Sequence, residues 1–483
     1  MTETLDAAPS ANPTQPLSST ADATAARHTA AIGASLTQRS GRWIDGWNPE
    51  DAIQWAAQGR AIARRNLGWS IFAEFLGFVV WQLWSIVVVL LPGAGFHLST
   101  SESFWLISLP SLVGATLRIP YSFMVPLFGG RNWTIVSAAL LLVPTIGLAL
   151  AVGNPATPFW VLLTVAGLAG FGGGNFASSM SNITFFFPQR EKGWALGLNA
   201  AGGNLGAAVA QLAVPVVVAL TAGAGLGLGI AGWMWVPLIV VAMVGAWRGM
   251  NNLANAKTDF AASASAIREP HLWLLALLYI GTFGSFIGFA GVFPKLIADQ
   301  FPAFATIPIG PAAISLAFLG ALVGSLARPY GGRLADRFGG AAIAALSFAA
   351  MGVVALAVVL ALPIGSFWLF LAFFLVLFVA SGIGNGATYR MIPTIFLVAS
   401  GASGPDDRAA QDAQRRSAAA LGIISAIGAY GGFLIPQVLN LSFTATGGYE
   451  SAFLWFVACY AVLFVVTLAV YLKPRGRLAG HRI

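Results

Sequence analysis

Long apolar runs alternate with short polar segments along almost the whole chain. Twelve runs reach the ~20 residues that a helix needs to cross the hydrocarbon core of a bilayer. Because a helix satisfies its own backbone hydrogen bonds in lipid, each run predicts a membrane-spanning helix. The predicted spans are 66–91, 103–128, 132–153, 158–187, 193–221, 230–250, 271–297, 310–334, 340–362, 367–398, 416–440 and 449–472. The pattern therefore predicts an all-α integral membrane protein with twelve transmembrane helices.

The composition agrees with this pattern. Of the 483 residues, 57% are hydrophobic and 9% are charged, whereas a soluble domain carries about 25% charged residues. A single cysteine, Cys459, excludes a disulfide framework. The chain is thus predicted to lie in a bilayer.

The basic residues are distributed unevenly between the two ends of the predicted spans. Most of the 25 lysines and arginines lie in the termini and in the loops after even-numbered spans. The loops after odd-numbered spans contain none, apart from Lys295 at the edge of the seventh span. By the positive-inside rule, both termini are predicted to be cytoplasmic, in the inner membrane. No basic face is interleaved with exposed aromatic residues, so binding to nucleic acid is not expected.

The same pattern predicts the organisation of the chain. It divides into a cytoplasmic, largely disordered segment 1–65, a six-helix bundle 66–250, a cytoplasmic loop 251–270, a second six-helix bundle 271–472 and a cytoplasmic tail 473–483.

The two bundles look like copies of one unit. Arg118 and Arg328 lie inside apolar runs and are followed, at the same spacing, by Phe-Gly-Gly ending at Gly130 and Gly340. The same offset aligns the glycines and asparagine ending at Asn175 with those ending at Asn385. Parallel repeats of this kind, with the substrate between the halves, are typical of secondary transporters that work by alternating access.

Each copy therefore carries a cation inside the membrane. Such a charge is costly unless it faces a cavity and a partner. Two guanidinium groups on opposite halves indicate an anion shared between them. The alternative is a structural ion pair, but the spans offer only one central acid, Glu74, for three arginines, Arg118, Arg328 and Arg390.

Glycine runs interrupt the fourth and tenth predicted spans. They comprise Gly172, Gly173 and Gly174 in the first half, and Gly382, Gly384 and Gly386 in the second. Glycine allows helices to pack closely and also lets a backbone approach a small ligand, so packing alone remains the alternative. Asn175 and Asn385 follow within these runs and are predicted to form hydrogen bonds between helices.

The loop between the eighth and ninth predicted spans carries a recognisable motif. Gly332, Asp336, Arg337 and Gly339 resemble the Gly-x-x-x-Asp-Arg/Lys-x-Gly loop of the major facilitator superfamily. In the first half, Pro126 replaces the aspartate. The resemblance implies the fold of that superfamily, with Asp336 and Arg337 in a cytoplasmic latch. No Walker A sequence is present, so transport driven by ATP is not expected.

The two glycine runs resemble the signature motifs of the nitrate/nitrite porters, the NarK-type branch of this superfamily, and the similarity extends from about Trp43 to Lys473. The resemblance implies nitrate, and with it nitrite, held between Arg118 and Arg328. It also implies walls formed by Phe176, Asn204, Tyr279 and Phe283, to which we add Asn175 and Asn385 as candidate substrate-binding amides. No cofactor or metal is expected, and the protein is expected to act as a monomer.

The chemistry of nitrate suits such a site. Nitrate is a small planar monoanion, and the planar, permanently charged guanidinium group matches it better than an ammonium group does. Bidentate N–H···O pairing is the strong form of this contact.

Coupling needs a further group. Drawing one anion inward against 100 mV costs about 2.3 kcal/mol, so either protons accompany nitrate or nitrite leaves in exchange. Arginine does not titrate, which leaves Glu74 as the proton-coupling candidate, with Arg390 as its partner. A structural Glu–Arg pair is the alternative. The chain is thus predicted to favour nitrate/proton symport, with electroneutral nitrate/nitrite antiport as the alternative.

Other classes of protein fit the sequence less well. A transporter of another small monovalent anion is the nearest rival. A sugar or drug transporter would need a larger, less cationic cavity, and a channel would not need the duplicated halves. An enzyme is not expected, because no metal-ligand cluster or nucleophile–base set appears.

Overall fold

A computed structural model describes residues 36–256, 265–401, 408–473, 478 and 483 of the chain. Twelve long helices dominate this part. We label them α1 to α12, and they span Ala52–Leu90, Thr100–Phe128, Gly130–Ala151, Phe159–Phe186, Gln189–Ala224, Ile230–Gly249, Pro270–Gln300, Phe318–Phe338, Gly340–Ile364, Phe367–Ser400, Arg408–Thr446 and Glu450–Leu472. All except α8 are long and apolar enough to cross a membrane. The predicted all-helical architecture of two six-helix halves is confirmed.

Helix α8 differs from the others because of its charges. It carries Arg328, Arg333, Asp336 and Arg337 in 21 residues, which lowers its apolar character although it occupies the eighth position in the bundle. Its predicted start at residue 310 was wrong. The strands β4 (Ile307–Ile309) and β5 (Ala312–Ile314) form an antiparallel hairpin there, and Gly310 adopts a φ of +59° in the turn.

The turns between α2 and α3 and between α8 and α9 are built alike. Gly129 and Gly339, one from each half, have φ values of +87° and +93°. Side chains other than glycine rarely adopt this conformation. The repeated Phe-Gly-Gly sequence thus corresponds to a repeated turn that directs the chain from one spanning helix into the next.

The segment before the first span is more ordered than its sequence predicts. Strands β1 (Thr37–Arg39) and β2 (Trp43–Asp45) pair with each other, and β2 pairs in parallel with β3 (Asn252–Leu253) after α6. Helix α1 begins at Ala52, and Asp51 caps it by accepting hydrogen bonds from two backbone amides. The prediction of a largely disordered segment 1–65 therefore fails for residues 36–65, and residues 1–35 lie outside the described part.

This sheet ties the start of the inter-half loop to the first bundle. The Arg42 Nε donates to the Met250 carbonyl at 2.8 Å, and the Trp47 indole donates to the Phe185 carbonyl at the end of α4 at 3.1 Å. The sequence pattern placed residues 251–270 in a loop, whereas part of that segment is strand β3. Residues 257–264 lie outside the described part, as do residues 474–477 and 479–482 of the predicted tail.

Candidate functional site

The glycine runs bring α4 against α2, and α10 against α8. A methyl group built on Gly173 would lie 2.8 Å from the Trp81 indole nitrogen and 2.9 Å from Cα of Gly114 on α2. A methyl on Gly386 would collide with the Arg328 carbonyl on α8. Gly174 and Gly382 likewise face α2 and α8 closely, whereas Gly172 faces α1 and Gly384 faces α7 and α9. The arginine-bearing helices α2 and α8 are thus held against α4 and α10 at backbone contact.

Arg118 is fully buried on α2. Its Nε donates to the Gly173 carbonyl at 3.1 Å, and its Nη1 donates across to the Ser425 carbonyl on α11 of the other half at 2.9 Å. The guanidinium carbon lies 4.5 Å from the centre of the Phe176 ring and 5.0 Å from that of Phe283. Within the described part of the chain, the remaining nitrogen, Nη2, is buried without a hydrogen-bond partner.

Arg328 occupies the corresponding place on α8. Its Nη2 lies 3.4 Å from the Tyr279 hydroxyl, and its guanidinium carbon lies 5.5 Å from the Tyr389 ring and 5.9 Å from the Phe176 ring. Its Nη1 is also buried without a partner. Both arginines therefore approach one aromatic ring, that of Phe176, and each has a buried nitrogen without a partner among the described residues.

Aromatic side chains from α7 continue the wall of this site. Phe283 stacks on Phe176 with ring centres 6.2 Å apart, and Tyr279 stacks on Phe283 at 5.3 Å. A single π-helical turn, Ile280–Gly284, directly follows Tyr279 on α7 and contains Phe283. Such turns occur often at functional sites, because the extra residue redirects the side chains around it. Five predicted site residues thus converge: Arg118, Arg328, Phe176, Tyr279 and Phe283.

Three predicted amide residues, Asn175, Asn204 and Asn385, are buried near these helices and have side-chain polar atoms without hydrogen bonds among the described residues. Among the described residues, both side-chain polar atoms of Asn204 and of Asn385 lack a partner, as does Oδ1 of Asn175. A buried polar group left unsatisfied costs about 1–3 kcal/mol. These atoms are therefore available to a polar ligand, although no hydrogen bond in the described part of the chain joins them to either guanidinium group.

Glu74 is fully buried on α1. Its Oε2 accepts hydrogen bonds from the Ser179 hydroxyl and from the Asn199 amide, the latter at 2.6 Å, while Oε1 has no partner among the described residues. The Asn199 amide also lies 2.6 Å from the Ser179 hydroxyl. Glu74 is thus held by neutral groups of α4 and α5.

The predicted pairing of Glu74 with Arg390 was wrong. The Arg390 Nε lies 2.5 Å from Oδ1 of Asp336, and both side chains are more than half exposed. The error arose because helical spacing gives the position of a residue along α10 but not its depth in the bundle. Asp336 of the predicted latch therefore pairs with α10, while Arg337 lies over the Phe338 ring at 5.1 Å.

Sequence reasoning missed three residues of the site. Tyr389 contacts the Arg328 guanidinium group, Trp81 lies 5.3 Å from that of Arg118, and Ser425 provides a carbonyl acceptor. Tyr389 directly precedes Arg390, and only the charged residue of this pair was considered in the sequence analysis. A backbone carbonyl such as that of Ser425 leaves no signal in a sequence.

Comparison with known proteins identifies the family. Residues 72–436 match the sequence profile of the Major Facilitator Superfamily. The chain is 43% identical over 446 residues to the nitrate/nitrite transporter NarU of Escherichia coli, with 88% of this chain and 95% of that protein covered. It is 35% identical to the probable nitrate/nitrite antiporter NarK2 of Thermus thermophilus, with 91% and 98% covered.

Solved structures agree on the fold. A bacterial homologue of the lysosomal transporter Spinster superposes with a TM-score of 0.57 at 17% identity, covering 85% of this chain and 97% of that one. The nucleoside transporter NupG superposes with a TM-score of 0.56 at 12% identity, covering 84% and 99%. Twelve helices in two halves, two facing arginines and these relatives lead to one assignment: the chain is a membrane transporter, not an enzyme, and it belongs to the nitrate/nitrite porter (NarK-type) branch of the major facilitator superfamily.

Proposed function

We propose that this protein carries nitrate, and nitrite with it, across the inner membrane by alternating access, holding the anion between Arg118 and Arg328. The observation that carries the proposal is a pair of buried guanidinium groups from opposite halves, each with one unpartnered nitrogen. Within the described residues, neither group forms an ion pair. An anion would supply the acceptors that these donors lack, since burying an uncompensated charge is costly.

The shape of the site favours a small planar anion. The Phe176 ring lies beside both guanidinium groups, and Phe283 stacks against it. Flat aromatic faces exclude water and leave the charged donors to contact the edge of the anion, where the acceptor oxygens of nitrate lie. The names of the two relatives, both nitrate/nitrite transporters, support this choice of substrate.

One contact links the site to the movement of the two halves. Arg118 belongs to the first half but donates to the Ser425 carbonyl of the second. When the halves rock apart on one side, this bond must lengthen or break, so the Arg118 donors change partners with the conformational state. A ligand that binds one state better than the other shifts the population toward it.

For coupling we favour symport with protons, with Glu74 as the proton carrier. Glu74 is fully buried, has two neutral partners and retains one unpartnered oxygen, Oε1. Among the described residues it forms no ion pair, so a structural Glu–Arg pair does not account for it. Nitrate/nitrite antiport remains the second candidate, supported by the name of the Thermus thermophilus relative, a probable nitrate/nitrite antiporter.

The distribution of charge supports an orientation with both termini in the cytoplasm. Arg60, Arg64 and Arg65 lie at the start of α1, and further basic residues follow the even-numbered helices. Basic residues are retained on the cytoplasmic side of bacterial inner membranes. We take the unit of transport to be one chain, since the proposed site lies wholly within it.

Uptake into proteoliposomes tests the function and the coupling together. Either an inward pH gradient or internal nitrite serves as the only driving force for radiolabelled nitrate. We expect uptake with the pH gradient. Uptake only with internal nitrite would establish exchange instead, and no uptake under either condition would show that the arginines bind another anion.

Replacing Glu74 with glutamine is expected to abolish uptake driven by a pH gradient while leaving nitrate/nitrite exchange largely intact. Glutamine keeps the size of the side chain and a hydrogen-bonding oxygen but binds no proton. The measurement is the ratio of gradient-driven uptake to exchange in the same vesicles. Gradient-driven uptake equal to that of the unmodified protein would remove the proton role from Glu74.

A further inference from the structure

A partly buried charged cluster lies at the end of the molecule that carries the loops after the odd-numbered helices, which we call the distal end. The Lys295 Nζ, on α7, donates to Oδ1 of Asp299 one turn later at 2.9 Å. Tyr449, just before α12, donates its hydroxyl to the other carboxylate oxygen of Asp299. The Lys295 side chain is only 10% exposed, so this group is not an ordinary surface ion pair.

A residue of the first half completes the cluster. Phe104 of α2 is fully buried, and its ring centre lies 5.4 Å from the Lys295 Nζ and 6.1 Å from the Tyr449 ring centre. Lys295, Asp299 and Tyr449 all belong to the second half. The ring of Phe104 therefore closes the distal end by contacting charged and aromatic groups across the seam between the halves.

This cluster lies in line with the proposed anion site. One face of α2 carries Phe104, Ser111 and Arg118, which follow one another at intervals of about two helical turns. At about 1.5 Å per residue, Phe104 lies about 21 Å from Arg118 along this helix. Lys295 lies about 18 Å beyond Phe283 on α7 by the same measure. Between them, a methyl built on Gly291 would lie 3.4 Å from Ile107 of α2. The seam thus runs continuously from the arginines to Lys295.

Neutral side chains close the rest of the distal seam. Gln437 of α11 donates to the Ser108 hydroxyl at 2.6 Å, and Asn440 donates to that of Ser101 at 3.2 Å. On the other side, the Gln211 amide donates to the Ala290 carbonyl at 2.7 Å. No other lysine or arginine occurs in the loops after the odd-numbered helices. Lys295 is therefore the one lysine or arginine that an anion could meet at this entrance.

We propose that Lys295 is the anion-capturing residue of a distal gate formed with Phe104, Asp299 and Tyr449. In the closed state, Lys295 is held by Asp299 and covered by Phe104. When the first half swings away, Phe104 leaves with it and Lys295 turns toward the opening, while the Tyr449 hydroxyl keeps Asp299 bonded. This inference rests on the proposed transport of an anion.

The choice of lysine fits a transient contact. An ammonium group acts as a compact, mobile point charge, whereas the planar guanidinium groups of the deeper site offer a fixed bidentate geometry. Charges at an entrance raise the rate at which an oppositely charged substrate arrives, and salt screens this effect. The capture step should therefore depend on ionic strength, unlike binding at the buried arginines.

The test measures exchange in oriented proteoliposomes with nitrate varied separately on each side. Lys295→Gln is expected to raise the distal-side KM about fivefold at low salt, with a smaller effect at high salt, because steering is lost. The KM on the opposite side and the maximal rate should stay unchanged, and Lys295→Arg should restore the distal KM. Lys473→Gln, the same loss of charge at the other end, is the control. An equal fall in maximal rate from both sides at unchanged KM would overturn the capture role.

A second readout does not depend on nitrate as the substrate. In a Cys459→Ser background, Ile107→Cys places a thiol in the distal seam, and a membrane-impermeant reagent reports how often the seam opens. Adding Lys295→Gln should speed labelling severalfold, because the contact with Phe104 is lost. An unchanged rate would overturn the gate. Faster labelling in a protein that transports no nitrate would uphold the gate and refute the proposed substrate.

Discussion

Replacing Arg118 or Arg328 with lysine is expected to lower nitrate uptake about a hundredfold, equivalent to about 2.8 kcal/mol at 1.4 kcal/mol per tenfold change. Each guanidinium group uses some of its nitrogens to hold its own position. Arg118 donates to the Gly173 and Ser425 carbonyls, which leaves its Nη2 for the ligand. Arg328 contacts the Tyr279 hydroxyl, which leaves its Nη1 for the ligand. An ammonium group cannot hold these anchors and also present a planar pair of donors.

The measurement is the initial rate of nitrate exchange, with the concentration varied to separate KM from the maximal rate. Arg333→Lys on α8 is the matched control, because Arg333 is exposed and its guanidinium carbon lies 5.7 Å from the centre of the Tyr330 ring. If the uptake rate falls mainly because the KM rises, the arginines act in binding the substrate. If either lysine variant kept the KM of the unmodified protein, the two-arginine site would be wrong.

The sequence allowed much of the fold to be predicted because its signals are local. A run of about 20 apolar residues predicts a span without knowledge of its neighbours, and the repeated Phe-Gly-Gly predicts a repeated turn. The start of α8 was missed because the β4–β5 hairpin is itself largely apolar, so hydrophobicity alone could not separate it from the helix. Strand β2 pairs with β3, some 200 residues away, and no local pattern predicts such a contact.

The site, like the fold, was predicted only in part. The repeat pointed to Arg118 and Arg328 from the residues alone, whereas Phe176, Tyr279 and Phe283 came from the family resemblance. The structure places all five together. Their roles in binding stay predictions, as do those of Asn175, Asn204 and Asn385. Tyr389 was missed, because the depth of a residue in the bundle depends on how α8 and α10 pack and not on their sequences taken separately.

Adding one methyl group at Gly386 is expected to reduce uptake at least tenfold. In Gly386→Ala the new Cβ would collide with the Arg328 carbonyl and lie 2.7 Å from the amide nitrogen of Gly332. Both contacts are with backbone, so α8 must shift as a whole and carry the Arg328 guanidinium group with it. Overpacking of this kind costs about 1–3 kcal/mol, and displacing a positioned charge weakens binding further.

Gly332→Ala is the matched control, because a methyl there meets nothing within 4 Å although Gly332 lies on the same contact surface of α8. The first half offers the same pair of variants: Gly173→Ala, which would crowd Cα of Gly114 at 2.9 Å, and Gly197→Ala, which meets nothing within 4 Å. In the crowded variants the midpoint of thermal unfolding in detergent should fall and the KM for nitrate should rise. Both quantities should stay unchanged in the controls. A crowded variant with a lower midpoint but an unaltered KM would show that the glycines serve packing alone, and that the arginines keep their places when the helices move apart.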